Sequence, residues 1–293
     1  MKPTAHPART LALSMAIFGT LGPFVRNIPV SSGELALYRA ILAALFIGVV
    51  LLVTKQPIPF AHIKKEVPLL LLSGVAMGIS WILLFQAYRY TTVSLATLSY
   101  YFAPVIVTLA CPLLLREKLT KKQVFCFAMS TLGLVMITGV GALGSGDLTG
   151  ILLGLCSAVF YAAVVLLNKF IHHVGGIHRT FLQLLAAIVI LIPYVALTGG
   201  VTLGTLTTRG WLNLLIVGLF HTGMTYCLYF SALTELPGQK AAILSYIDPL
   251  VAVVVSVVVL GEPLTLWQVA GGALILGFTL WNEATPASRT QAT

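Results

Sequence analysis

Asp248 stands inside the largely apolar stretch AAILSYIDPLVAVVVSVVVL, Ala241 to Leu260, with Pro249 directly after it. If that stretch crosses a bilayer, a charge at its middle costs roughly 2.5–3.5 kcal/mol on insertion scales. Binding a substrate ammonium or taking up a proton would justify the cost; a hydrogen-bonded structural acid is the plain alternative. Pro249 frees a carbonyl about one turn earlier and can kink or break the helix there. Arg39 and His221 also lie inside apolar stretches. Arg39 either snorkels to the outer surface or faces inward toward a carboxylate, and Glu34 and Tyr38 beside it are candidate partners in an outer gate. His221 can titrate, hydrogen-bond or simply pack.

Other chemistry finds no support. Gly139-Val-Gly141-Ala-Leu-Gly144 fits G-x-G-x-x-G, but it follows a hydrophobic run and no βαβ pattern surrounds it. No P-loop, H-E-x-x-H or G-x-S-x-G occurs, so neither ATP hydrolysis nor hydrolysis within the membrane is indicated and the chain does not read as an enzyme. Cys111, Cys126, Cys156 and Cys227 fall singly in apolar runs, without a C-x-x-C pair, and read as small buried hydrophobes. No metal site and no cofactor is expected.

These residues need elements to position them, and composition says which. Charged residues make up 9% of the 293, against about 25% in an ordinary soluble domain, and apolar ones 58%. Mean hydropathy is +1.00. A soluble core cannot hide that much apolar surface, so the solvent is lipid and the fold class is an all-α membrane protein. The net charge of +9 sits in short loops between apolar runs, which points to membrane topology and not to nucleic acid.

A bilayer takes about 20 apolar residues per helix. Ten such runs stand out: 10–27, 32–54, 67–89, 92–115, 122–140, 148–170, 179–198, 210–231, 238–260 and 265–283. The segment before them, with Lys2 and Arg9, resembles a signal peptide but lacks a small-x-small cleavage site, and reads as part of a retained first helix. With the N-terminus cytoplasmic, thirteen of the 17 Lys and Arg fall on the cytoplasmic side, three (Arg26, Arg89, Arg209) fall outside, and Arg39 lies within a run. That bias puts both termini in the cytoplasm.

The sequence also repeats. At an offset of 145, Leu69 and Leu214, Gly78 and Gly223, Phe85 and Phe230, Tyr101 and Tyr246, Pro104 and Pro249, Glu117 and Glu262, Thr120 and Thr265, and Gln123 and Gln268 coincide. The division falls between residues 1–143 and 144–293, five runs each. Five is odd, so the second unit sits upside down relative to the first, a design recurrent in secondary transporters. The Thr-x-x-Gln of each copy fits a capping box that starts the following helix. Gly74-x-x-x-Gly78 and Gly150-x-x-x-Gly154 allow close helix contact.

Glu34 and Arg39 in GELALYRAILAAL, both copies of the Pro-to-Glu-x-Leu-Thr segment, and the glycine-containing helices after them resemble the drug/metabolite transporter superfamily, EamA type. Within it the chain is most similar to the YddG-type exporters of aromatic and other amino acids. The resemblance implies ten spans in two repeats, with runs 3, 4, 8 and 9 around a central substrate cavity. On those runs helical spacing offers Met77, Trp81, Phe85 and Tyr88; Thr97, Tyr101 and Pro104; His221 or Thr222, Thr225, Tyr226 and Tyr229; and Ala242, Ser245, Tyr246 and Pro249. Trp81 matches Tyr226 and Tyr101 matches Tyr246 under the offset, as a cavity about a pseudo-two-fold axis requires. The expected substrate site is therefore Trp81, Tyr101, Tyr226, Tyr246 and Asp248, with His221, Ser245 and Met77; Pro104 and Pro249 are the expected hinges. The implied function is alternating-access export of amino acids across a bacterial inner membrane. The partners are a small-molecule substrate and lipid, and nothing demands an oligomer. Rival readings are the same fold carrying a drug, nucleoside or sugar derivative, or a membrane scaffold that transports nothing.

Overall fold

The computed structural model describes residues 6–25, 27–58, 63–87, 89–91, 96, 99–115, 119–138, 147–199, 202–261 and 266–283. Tyr88, Thr97, Glu117, Glu262, Thr265 and the Gly139–Gly144 motif lie outside them. Among the described residues the regular structure is entirely helical. In chain order the helices are α1 (Pro7–Gly19), α2 (Leu21–Val25), α3 (Ser32–Val53), α4 (Val67–Ala87), α5 (Ala103–Leu114), α6 (Lys121–Thr138), α7 (Asp147–Lys169) and α8 (Gly176–Thr198). There follow α9 (Thr208–Leu215), a π-helical segment (Ile216–Met224), α10 (Thr225–Leu233), α11 (Gly238–Leu244), α12 (Ile247–Leu260) and α13 (Leu266–Glu283).

Among the described residues, seven continuous or composite helices are long and apolar enough to cross a membrane: Pro7–Val25, Ser32–Val53, Val67–Ala87, Leu148–Lys169, Gly176–Thr198, Thr208–Leu233 and Gly238–Val259. The three remaining expected runs are occupied by α5, α6 and α13. α5 is short because a turn at Tyr101–Phe102 precedes it. α6 opens on Lys121 and Lys122, and its start is the expected capping box: Gln123 N–H donates to Thr120 Oγ1 (3.2 Å) and Thr120 N–H to Gln123 Oε1 (3.0 Å).

The bundle is interlocked across its halves. α4 packs along α7 and against α8; α3 packs on α8 and on the π segment; α1 packs on α10 and α12; α5 meets α7 and α11; and α6 pairs with α13. Small residues make these approaches possible. A Cβ at Gly74 would lie 2.3 Å from the Gln183 carbonyl oxygen, so α4 reaches α8 only with glycine there.

At one end of the bundle, three helices and a loop are joined by polar contacts. Arg179, buried near the start of α8, donates to the carbonyls of Asn168 (3.3 Å), Ile171 (2.7 Å) and Val174 (3.1 Å), closing the C-terminus of α7. Ser73 of α4, Asn168 of α7 and Gln183 of α8 form a buried hydrogen-bonded triangle with edges of 2.8–3.1 Å. Glu66, in the turn before α4, accepts from the backbone N–H of His172 (3.1 Å) and His173 (3.1 Å) and from His173 Nδ1 (2.8 Å).

Burial pushes the Glu66 carboxyl up, but the hydrogen bonds from His173 and the two backbone amides outweigh it and hold the group below its usual range. A folded-state pKa below the unfolded one contributes stability above the ordinary carboxyl pKa and loses it as pH falls through the folded value. Glu66→Gln is therefore expected to cost about 2 kcal/mol at pH 7 and progressively less below about pH 4, read as thermal unfolding in detergent. A cost that does not change with pH would contradict this.

Candidate functional site

Four irregularities converge on the middle of the bundle. α1 gives way to α2 at Thr20; the chain turns at Tyr101–Phe102 before α5; α9 passes into the π segment; and α11 and α12 are separated by a turn at Ser245–Tyr246. Pro104 and Pro249 lie in the first turns of α5 and α12, where a missing N–H breaks no helical bond. The turns satisfy their own amides: Phe102 N–H donates to Ser99 O (3.2 Å), Tyr246 N–H to Ile243 O (3.2 Å) and Asp248 N–H to Ser245 O (3.3 Å).

Asp248, half-buried, lines a cavity of about 20 Å³ with Met15, Tyr100, Tyr101, Tyr161 and Ser245. The Tyr101 hydroxyl hydrogen-bonds to it. A second cavity of about 10 Å³, walled by Tyr161, Tyr229, Ala242 and Ser245, adjoins the first. Each has room for about one water. The centre is thus closed in this conformation, and anything larger must move aromatic rings to enter. α1 presses against this point: a Cβ at Gly19 would lie 2.6 Å from the Asp248 carbonyl oxygen.

The rings form one connected shell. Tyr226 meets Phe18 (5.0 Å between centroids), Trp81 (6.2 Å) and Tyr229 (6.2 Å), and stacks on Phe230 (5.5 Å). Tyr100 contacts both Tyr101 (5.6 Å) and Tyr161 (5.3 Å), and the Tyr161 hydroxyl donates to that of Tyr229 (3.2 Å). Buried tyrosine hydroxyls need such partners. Met77 is packed one turn before Trp81 on α4.

Arg39 of α3 enters this shell. It is buried, its guanidinium carbon lies 4.7 Å from the Trp81 ring centroid, and Nε donates to Thr222 Oγ1 (3.2 Å). Thr222 and Thr225 in turn donate to Val217 O (2.7 Å) and Phe220 O (2.9 Å), five residues back, as the wider π turn permits. His221 Nε2 meets Thr20 Oγ1 at 3.0 Å, and since that hydroxyl donates to Ile17 O (2.7 Å), the imidazole N–H is the donor. His221 thereby ties the π segment to the break between α1 and α2.

Several expected neighbours are not brought together. Arg39 does not join Glu34 and Tyr38. Glu34 accepts from Ser31 N–H in a capping box (3.1 Å), from Tyr38 OH (3.1 Å) and from Thr202 Oγ1 (2.8 Å), anchoring the loop after α8, while Arg39 projects into the aromatic shell. Tyr246, like Trp81, Tyr226, His221 and Met77, is not among the residues that line either cavity. The turn at 245–246 aims its ring at α6, where it is fully buried against Phe127 (6.2 Å) and its hydroxyl shares a hydrogen bond with Thr131 Oγ1 (2.7 Å). Its repeat mate Tyr101 stays at the cavity, so the aromatic pairs are not symmetric in place. Tyr100, Tyr161 and Met15 were not expected; the Tyr100-Tyr101 doublet is the one sequence signal that marks any of them. Among the described residues no group of three or more His, Cys, Asp or Glu is arranged to hold a metal.

The chain matches the EamA-like transporter family over residues 9–139 and 148–282, and belongs to it. An uncharacterized transporter of Bacillus subtilis (strain 168), YxxF, is 33% identical over 270 residues, 90% of this chain and 85% of the relative. An uncharacterized transporter of Archaeoglobus fulgidus is 30% identical over 282 residues, 93% of this chain and 95% of its own length. A protein crystal structure with 16% identity superposes with a TM-score of 0.83 over 93% of this chain and 95% of that one, a likeness of fold alone. The protein is a multi-pass membrane transporter.

Tyr246→Phe is expected to lower thermal stability by about 1 kcal/mol through the lost bond to Thr131 and to leave the transport KM unchanged within twofold. A large rise in KM with stability intact would return Tyr246 to the substrate site.

Proposed function

We propose that this member of the EamA-like family exports amino acids, aromatic and hydrophobic ones foremost, from the cytoplasm across a bacterial inner membrane by alternating access. The observation that carries the reading is Asp248 in the wall of a central, aromatic-lined cavity, hydrogen-bonded to Tyr101 and among the described residues ion-paired to nothing. A carboxylate there suits an ammonium group, and the rings of Trp81, Tyr226 and Tyr229 suit an apolar or aromatic side chain. The direction of transport, and the likeness to YddG-type exporters, rest on sequence resemblance.

The mechanism follows from ten spans in two inverted five-helix repeats, with both termini cytoplasmic. The family matches the chain twice, over residues 9–139 and 148–282. Helix pairing supports the same division. Under the 145-residue offset the pair α4–α7 corresponds to α10–α1, α4–α8 to the π segment on α3, and α5–α7 to α12–α1. The pairs α3–α8 and α6–α13 map onto themselves, as contacts on a pseudo-two-fold axis do. Breaks beside Pro104, Pro249 and Pro23 supply bending points around the cavity, so each repeat can rock against the other and expose the centre to one side at a time.

Proteoliposomes loaded with and without unlabelled substrate test this. Labelled L-phenylalanine or L-leucine should enter saturably at equal pH and be accelerated by substrate inside. Asp248→Asn and Trp81→Ala should each cut flux at least tenfold with incorporation unchanged. Flux of a nucleoside or sugar derivative with none for amino acids would replace the cargo; unchanged flux in both variants would remove the site.

A further inference from the structure

Arg39 is a buried cation that, among the described residues, is ion-paired to no acid. It is 6% exposed, in a chain segment that crosses the membrane, where a lone charge is costly unless paired. Its Nε is held by Thr222 and its planar face by Trp81. The acid nearest in sequence, Glu34, is engaged by Ser31, Tyr38 and Thr202 instead. Among the described residues the one ion pair is Glu66 with His173, in the turn before α4. Asp248 is the complementary case, an acid with a tyrosine beside it and, among the described residues, no ion-paired cation.

The two charges share a neighbourhood. Arg39 lies on Trp81 (4.7 Å), Trp81 meets Tyr226 (6.2 Å), Tyr226 meets Tyr229 (6.2 Å), and the Tyr229 hydroxyl accepts from Tyr161 (3.2 Å), which lines the cavity with Asp248. A ligand bearing one negative and one positive group a few bonds apart would complete both pairs at once and bring no net charge into the membrane. A guanidinium offers a carboxylate two parallel hydrogen bonds, and holding it flat against Trp81 fixes the direction of that fork.

We propose that Arg39 binds the substrate's α-carboxylate while Asp248 binds its ammonium, so that the central site selects whole α-amino-acid zwitterions. This rests on the amino-acid reading above and sharpens it. The selectivity comes from the charges left over. An amine without a carboxylate leaves Arg39 unpaired, and a carboxylic acid without an amine leaves Asp248 unpaired.

The test compares ligands on the wild-type protein first. In proteoliposomes taking up labelled L-phenylalanine, unlabelled L-phenylalanine should compete at least tenfold more strongly than phenylalaninamide, phenethylamine or 3-phenylpropionate. Arg39→Gln should raise the KM for L-phenylalanine at least tenfold and leave competition by phenylalaninamide within about twofold, and Arg39→Lys should restore part of the loss. The ligand comparison needs no variant, so a misfolded Arg39→Gln protein does not shield the proposal. Amide and amino acid competing equally in the wild type, or Arg39→Gln weakening both alike, would overturn the role of Arg39 and leave the amino-acid reading standing. Wild-type protein that moves no amino acid would defeat that reading and the inference with it.

Discussion

Lipid offers no hydrogen bonds, so wherever a helix breaks inside a membrane the freed backbone groups must be satisfied from within the protein. The centre of this bundle is arranged around that constraint. The turns at Tyr101–Phe102 and Ser245–Tyr246 close on their own carbonyls, threonine hydroxyls bond carbonyls within the π segment, and the Thr20 hydroxyl bonds Ile17 where α1 ends. Breaks satisfied in this way leave room for side chains that a regular helix would aim elsewhere. Asp248 and Tyr101 reach the cavity, and His221 reaches Thr20, because of them.

Around this soft centre the packing is rigid. Gly74 lets α4 sit directly on α8, Gly19 lets α1 sit on α12, and the network of Glu66, Asn168, Arg179 and Gln183 at one end of the bundle joins α4, α7 and α8. Rigid pairs that meet at interrupted helices are what a rocking motion needs, since bending concentrates where backbone bonds are already irregular. The small size of the central cavities fits a closed stage of such a cycle.

Much of this is legible in the sequence, and the failures have physical causes. The apolar runs of the seven long spans lie within a few residues of their helices because lipid length and hydropathy set both. Asp248 is legible because one carboxylate in an apolar stretch has few reasons to exist. The capping box at Thr120 and Gln123 is legible because its two bonds are local. Tyr246 misleads because helical spacing was carried across a turn that rotates everything after it. The π segment leaves no trace in spacing, since matching residues on either side of it keep the 145-residue offset. Tyr161 escapes because it reaches the cavity from a helix that the resemblance does not place there, and Arg39 meets Thr222 only through a contact spanning 183 residues.

The central claim is that an amino acid binds among the rings beside Asp248. Trp211, Trp267 and Trp281 are surface-exposed and replaceable by phenylalanine, which leaves Trp81 as the sole remaining tryptophan of four. Its emission, recorded in detergent as L-phenylalanine or L-leucine is added, is the most direct measurement. A saturable change in intensity or wavelength that vanishes in Asp248→Asn is the result this account predicts. An emission spectrum indifferent to every amino acid, in protein that remains folded, would contradict it.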